Sequence, residues 1–315
     1  MLVLTKQLLQ CDQWCENIAG TIRMLVVIEE IFDNLLSGLD DQGQEEFDAD
    51  WETRVSVSLE SLRAAYEGLT VQNRDPIDYT DLATQAAYVF VYAIGRAEFT
   101  YQLLKRYRAV LGEPIFRKNE ARITSLGGGP GSEIAGVVKY LLDPESQENV
   151  SSIKYWVFDK DGEWENICQS VVDDLSQFMP IELEYDSLDL CDGLECGKIS
   201  LAGDDLRILS FVISELCALS KKSQAAESLR QLYKTLDDGA RIFYNDSNAS
   251  SFYYFFNETK TYVKGLGRVS EVSEIKERIS ACFNFGETYE EYIEEFEVTP
   301  HLTSDALSKF HVRRL

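Results

Sequence analysis

Residues 123–133 read ITSLGGGPGSE, with four glycines and one proline in five consecutive positions between a β-branched apolar run and a segment of helical composition. Bare backbone of this kind permits positive φ and lets the main chain pass close beneath a ligand. Three cofactor-binding loops compete for it. A phosphate-cradling P-loop needs Lys and Ser/Thr after its last glycine, whereas Ser132 and Glu133 follow Gly131. A dinucleotide fingerprint needs G-x-G-x-x-G, and its third glycine falls on Ser132 counted from Gly127 or on Ile134 counted from Gly129. The spacing present is G-x-G-x-G, at Gly127, Gly129 and Gly131 with Pro130 inside it. A plain strand-to-helix turn would need only one or two of these glycines.

Polar residues then recur where apolar runs end. YWVFDKDGEW places Asp159 at such an end, followed by Lys160, with Asp161 as the alternative acid. IELEYDSLDLCDG offers Asp186 first and Asp189 second, beside Ser187 and Leu188. LRILSFVISEL ends in Ser214 and Glu215, and ARIFYNDSNASSFYYFF supplies Asn245, Asp246, Tyr253 and Tyr254. In an open parallel sheet, ligands bind beyond the carboxyl ends of the strands, where these residues would stand. Each also has a plainer reading: a solvated loop acid at Asp159, a helix cap at Glu215, core packing at Trp164 and in FYYFF.

With its G-x-G-x-G loop and Asp159 at the end of the next apolar run, the chain resembles the class I S-adenosylmethionine (SAM)-dependent methyltransferases over roughly residues 113–315. The resemblance implies that Gly127, Gly129, Pro130 and Gly131 border the cofactor. It also implies that Asp159 accepts from the ribose hydroxyls with Lys160 beside it, and that Asp186 or Asp189 meets the adenine amine along a wall shared with Ser187. Ser214 joins the cofactor set. Glu215 is the candidate base, or an anchor for a cationic amine, and Asn245, Tyr253 and Tyr254 are the candidate acceptor contacts. The family usually carries an acid two positions before the first glycine, which helps hold the cofactor's amino group. Here that position is Ser125, so either another acid substitutes or binding is weaker. The N-P-P-Y motif of many nucleobase and glutamine methylating enzymes does not occur. The function implied is methyl transfer from SAM to a small-molecule or basic protein acceptor. A SAM-fold binding or regulatory protein without catalysis and an RNA methyltransferase stand as alternatives.

The elements that must position these residues follow from patterning. A chain of 315 residues makes one large or two modest domains, and 45% hydrophobic content gives it a sizeable core. The net charge of −24 repels nucleic-acid phosphates and attracts cationic partners. MLVLTKQLLQ has only four apolar residues before Lys6, unlike a signal peptide, and no apolar run reaches the roughly 18 residues of a membrane span. A cytoplasmic or nuclear chain is expected. Seven cysteines, among them Cys11 with Cys15 and Cys191 with Cys196, fit reduced thiols, and no dense set of metal ligands is present. Oligomeric state is not legible.

Residues 1–112 read as helical, with a long helix at 81–108 capped by Thr80 or Asp81, and are expected to cover the mouth of the sheet. From 113 to 315, short apolar runs alternate with helical segments, which predicts a parallel sheet built by right-handed crossovers. YEEYIEEFEVTP and ALSKFHVRRL read as two extended segments. The fold expected is α/β: a Rossmann-like, mostly parallel seven-stranded sheet with an antiparallel C-terminal edge hairpin, preceded by an α-helical N-terminal region.

Overall fold

The computed structural model describes residues 24–41, 50–68, 77–219, 221–261, 268–281, 285 and 287–314. Cys11, Cys15 and the first part of the expected N-terminal helix lie outside the described residues. Helix α1 (Met24–Asp41) is followed by α2 (Trp51–Glu67), whose start is fixed by the Asp50 carboxylate accepting from the Thr53 N–H at 2.9 Å. Asp81 does the same for α3 (Leu82–Tyr88), accepting from the Thr84 N–H at 2.8 Å. The long helix expected at 81–108 runs as α3, a π turn at Val89–Ala93 and α4 (Ile94–Leu111). Left-handed Gly112 ends it, donating its N–H to the Arg108 carbonyl at 3.1 Å.

The chain then alternates: β1 (Glu120–Leu126), α5 (Ser132–Leu142), β2 (Ser152–Asp159), α6 (Trp164–Ser176), β3 (Ile181–Ser187), α7 (Gly193–Cys196) and β4 (Leu206–Ser210). It continues with α8 (Val212–Ala218), α9 (Lys222–Lys234), β5 (Arg241–Ser247), α10 (Ser250–Thr261), β6 (Arg268–Ser280), α11 (Glu287–Phe296) and β7 (Thr303–Arg314). The strands form one seven-stranded sheet in the order β3-β2-β1-β4-β5-β7-β6, with β7 antiparallel to both neighbours and the remaining pairs parallel. This is the Rossmann-like sheet expected. Strand order reverses beside β1, which pairs with β2 on one side and β4 on the other. A crevice therefore opens at the carboxyl ends of β1 and β4.

The C-terminal reading needs one correction. YEEYIEEFEVTP, residues 289–300, was expected to be extended, but its residues 289–296 lie in helix α11, and the antiparallel partner of β7 is β6, so a helix-containing segment joins the two strands. The physical reason is a 3.6-residue period: Tyr289, Ile293 and Phe296 share one face, with Tyr289 stacked on Phe90 at 5.1 Å and acidic Glu287 and Glu290 in the first turn.

Alternation along the strands sends side chains to two apolar layers. One layer joins Phe32, Leu59 and Phe90 of the N-terminal helices with Val137 of α5 and Ile123, Tyr155, Phe243 and Phe310 of the sheet. The other packs Leu229 and Phe256 against Leu209, Ile242 and Tyr244. The N-terminal helices are thus seated directly on the sheet. Their approach is close at Gly136, where a Cβ would lie 2.3 Å from the Ala97 carbonyl oxygen. Among the described residues, no helix is long and apolar enough to cross a membrane.

Candidate functional site

The glycine loop leaves β1 at the crevice. Gly127 has φ +69° and donates its N–H to the Phe158 carbonyl at 2.7 Å; a Cβ there would meet Val212 Cγ2 at 2.4 Å. Cβ atoms on Gly128 and Gly131 would likewise press on Ser125 Cβ at 2.8 Å and Cys168 Sγ at 2.9 Å. Gly129 differs. Its φ is +48°, and its Cβ would meet nothing nearer than Trp164 Cε2 at 4.0 Å. Three glycines are therefore demanded by the protein's own packing, and the fourth leaves space that the protein does not fill.

That space belongs to a cavity of about 110 Å³ that opens to solvent. Gly127 and Gly129 form part of its wall, with Asp159, Lys160 and Asp161 from the end of β2. Asp159 Oδ2 accepts from the Gly129 N–H at 2.8 Å and Oδ1 from the Asp161 N–H at 3.1 Å. Burial nevertheless pushes its carboxyl up to about 7, helped by the charges of Asp161 and Glu215. Beyond β3 the Leu188 N–H bonds the Asp159 carbonyl at 2.7 Å, and Leu188, Asp189 and Leu190 line the cavity. The end of β4 contributes Ser210, the chain after it Phe211, Val212 and Glu215, and the N-terminal region Ile77, Tyr79, Tyr88 and Arg96. Trp164 is 2% exposed and packs on Tyr79 and Tyr88, so it is both core and cavity wall.

Arg96 dominates the inner end. Its guanidinium carbon lies 4.5 Å from the centroid of Phe211 and 4.9, 5.4 and 5.7 Å from those of Tyr88, Tyr92 and Tyr66, distances at which ring faces attract a cation. The guanidinium donates to the Tyr88 hydroxyl and, at 3.1 Å, to that of Tyr66. The Tyr66 phenol donates in turn to Glu215 Oε1 at 3.1 Å and lies 3.0 Å from the Tyr79 hydroxyl. Burial holds Tyr66 and Tyr79 well above the usual phenol range, so both serve as neutral donors. Glu133, on the first turn of α5, is 3% exposed; burial pushes its carboxyl up to about 7 against the pull of Arg96. Both amide atoms of Asn245, the register neighbour of Ser210 across β4 and β5, are buried without hydrogen-bond partners among the described residues, while the Ser210 hydroxyl meets the Glu133 carboxylate. Ser210 faces the cavity. Buried polar groups without partners are rare in folded proteins and call for a ligand or water.

The chain is similar to class I SAM-dependent methyltransferases of known structure. A Listeria monocytogenes protein assigned to that class is 12% identical, with 93% of this chain and 88% of that one covered and a TM-score of 0.43. The CurJ carbon methyltransferase is 12% identical over 94% of this chain and 82% of its own, at a TM-score of 0.42. The N-methyltransferase NodS of Bradyrhizobium japonicum is 11% identical over 70% and 97%, at 0.38. No family model and no curated protein matches the chain.

The cavity brings together Gly127, Gly129, Asp159, Lys160 and Glu215 of the residues singled out in the sequence, with the alternatives Asp161 and Asp189. Pro130 and Gly131 are buried beneath the loop and do not line it. Asp186 and Ser187 are exposed outside it on the edge strand β3, whereas Asp189, which opens the turn closed by the Asp192 N–H on its carbonyl, lines the cavity. The Ser187 hydroxyl donates to the Lys160 carbonyl at 3.1 Å. Ser214 is wholly buried, its N–H bonded to Asp246 Oδ2 at 2.8 Å and its hydroxyl to the Phe211 carbonyl at 2.9 Å, a helix-start role. Tyr253 lies under the Lys309 ammonium, 3.9 Å from the ring centroid, and Tyr254 is 65% exposed elsewhere. Sequence reading missed Arg96, Tyr66, Tyr79, Tyr88, Phe211 and Glu133. An arginine at the i+8 position from one tyrosine and i+4 from another, inside an apolar helix, was a readable signal for Arg96. Phe211 holds a left-handed φ of +59°, an outlier for a bulky residue that no sequence pattern announced.

Proposed function

We infer that the chain is a SAM-dependent methyltransferase whose N-terminal region, residues 1–112, shapes the acceptor side and whose residues 113–315 hold the cofactor. The observation that carries this reading is Gly129: a positive-φ glycine whose absent Cβ leaves space at the switch point of a parallel sheet, with an acid at the end of the next strand hydrogen-bonded to its N–H. Asp159 would hold the ribose, with Lys160 and Asp161 at the rim, while Leu188, Asp189 and Leu190 would enclose the adenine. Glu133, buried beside the loop, supplies the acid that Ser125 does not, and Arg96 supplies a cation for the cofactor's carboxylate.

Bound SAM supplies an electrophilic methyl group on a sulfonium. The protein's part is to align acceptor and methyl carbon and to exclude water, which the aromatic wall of Tyr79, Tyr88, Phe211 and Trp164 suits. Glu215 would take the proton of an acceptor O–H or N–H at its Oε2, with Oε1 held by Tyr66. A cationic amine is a poor partner for this end of the cavity, because Arg96 already fills the aromatic cage there. A small-molecule acceptor is therefore favoured over a basic protein.

Calorimetry with SAM and its demethylated product, followed by a labelled-methyl transfer assay, tests the reading. Asp159→Ala is expected to weaken SAM binding about tenfold or more, from the roughly 1.5–3 kcal/mol of a charge-assisted hydrogen bond. Wild-type protein without affinity for either form would refute the reading. Tight binding with no labelled product would favour a binding or regulatory protein instead.

A further inference from the structure

A second concavity adjoins the first. It lies at the same carboxyl edge of the sheet, lined by Ser247 and Asn248 after β5, by Thr303–Asp305 at the start of β7, by Lys276 and Arg278 of β6, and by His301. The two strands place these residues together: Lys276 pairs with Leu307, and Arg278 with Asp305. Tyr66 also lines it. This is the same Tyr66 whose hydroxyl receives from Arg96 and donates to Glu215, so one side chain separates groove and cavity.

The charge of the groove runs against that of the molecule. In a chain of net charge −24, it presents Lys276 and Arg278, both exposed, with Asp305 as the acid among its lining residues. Neither cation forms an ion pair among the described residues; Arg278 reaches only the Thr303 hydroxyl, at 3.5 Å. Behind Tyr66 the positive charge of Arg96 is offset by Glu215, bonded to the same hydroxyl, so the groove's attraction rests on Lys276 and Arg278. A cluster of cations within an otherwise repulsive field is a local trap for anions and for little else.

Resting on the methyltransferase reading, we propose that this groove is the acceptor site and that the acceptor is a small anionic molecule, its carboxylate or phosphate held by Lys276 and Arg278 while its nucleophilic end reaches past Tyr66 to Glu215. The groove is open, and its polar residues share the lining with Tyr66, Ala249 and Phe252. Asn248, Ser247 and Thr303 provide neutral donors around the two cations.

Small metabolites extracted from cells that make the chain naturally, separated on ion-exchange resins into anionic, neutral and cationic pools, are incubated with the full chain and SAM labelled on its methyl group. Label is expected in the anionic pool. Treatment of that pool with phosphatase beforehand separates the two sources: loss of label identifies a phosphate ester, and persistence a carboxylate. Lys276→Glu with Arg278→Glu should reduce the label at least tenfold while SAM affinity and melting temperature stay at wild-type values, and Lys276→Arg should retain it. Label in the neutral or cationic pool, label unchanged by the double charge reversal, or no label in any pool while SAM binds, would each overturn the proposal. A wild-type chain that fails to bind SAM would overturn the reading beneath it instead.

Discussion

Two glycines two positions apart have different work to do. Gly127→Ala meets Val212 Cγ2 at 2.4 Å in a left-handed conformation, so a loss of roughly 2–5 kcal/mol is expected from the backbone and overlap terms together. Gly129→Ala has only the backbone penalty, about 1–2 kcal/mol, yet its methyl group projects toward the cavity. Melting curves should therefore fall further for Gly127→Ala, whereas calorimetry should show the larger loss of SAM affinity, beyond what its stability explains, for Gly129→Ala. The acids of the site make a pH prediction. Glu133 and Asp159, near 7, and Asp246, near 6, keep protons in the folded chain that the unfolded chain releases at about pH 4. Their effect on stability is nil below that pH, grows unfavourable as pH rises toward 7 and is level above it. Denaturant titrations at pH 5 and pH 8 should show Glu133→Gln losing less stability across this interval than wild type. Equal losses would remove Glu133 from the account. On the proposed reading, with the ammonium of SAM beside Glu133 and its ribose on Asp159, binding should release protons near pH 6, seen as a binding heat that varies with the buffer's ionisation enthalpy.

At the scale of elements, the approach of α4 to the rest of the fold is set by absent side chains. A Cβ on Gly136 would lie 2.3 Å from the Ala97 carbonyl, and one on Gly95 2.2 Å from the His301 carbonyl. Gly136→Ala must push α4 from α5 and is expected to cost about 1–3 kcal/mol, read as a lowered melting temperature. Gly95→Ala acts on the segment before β7, which borders the acceptor groove, so it should raise the acceptor KM with little change in SAM affinity. An unchanged KM would detach that segment from acceptor binding. The π turn at Val89–Ala93 matters for the same reason, since Tyr88, Tyr92 and Arg96 converge around it. Patterning recovered the alternating elements because each carries its own period. It failed at residues 289–296, where Tyr, Ile and Phe favour strands by composition while their spacing, and burial of Tyr289 and Phe296, favour a helix.

For the whole molecule, the apolar layer shared by Phe32, Phe90, Val137 and Phe310 makes the N-terminal helices and the sheet interdependent. A single cooperative thermal transition is expected by calorimetry; two resolved transitions would mean the helices fold apart from the sheet. The charge of −24 slows the approach of an anionic acceptor, so kcat/KM should rise, not fall, between low and physiological salt as the long-range field is screened.

The sequence by itself determined the parallel α/β order, the glycine loop and the acid at the end of β2, because strand alternation, helix period and turn chemistry act over a few residues. It also offered two acids beyond β3, Asp186 and Asp189, and only the path of the chain after the strand puts Asp189, not Asp186, in the cavity wall. The tertiary structure alone joined Tyr66 to Glu215 across 149 residues, caged Arg96 among four rings and gathered Lys276 and Arg278 at the groove. These contacts depend on how layers pack and in what order strands cross, and no local pattern of residues encodes either.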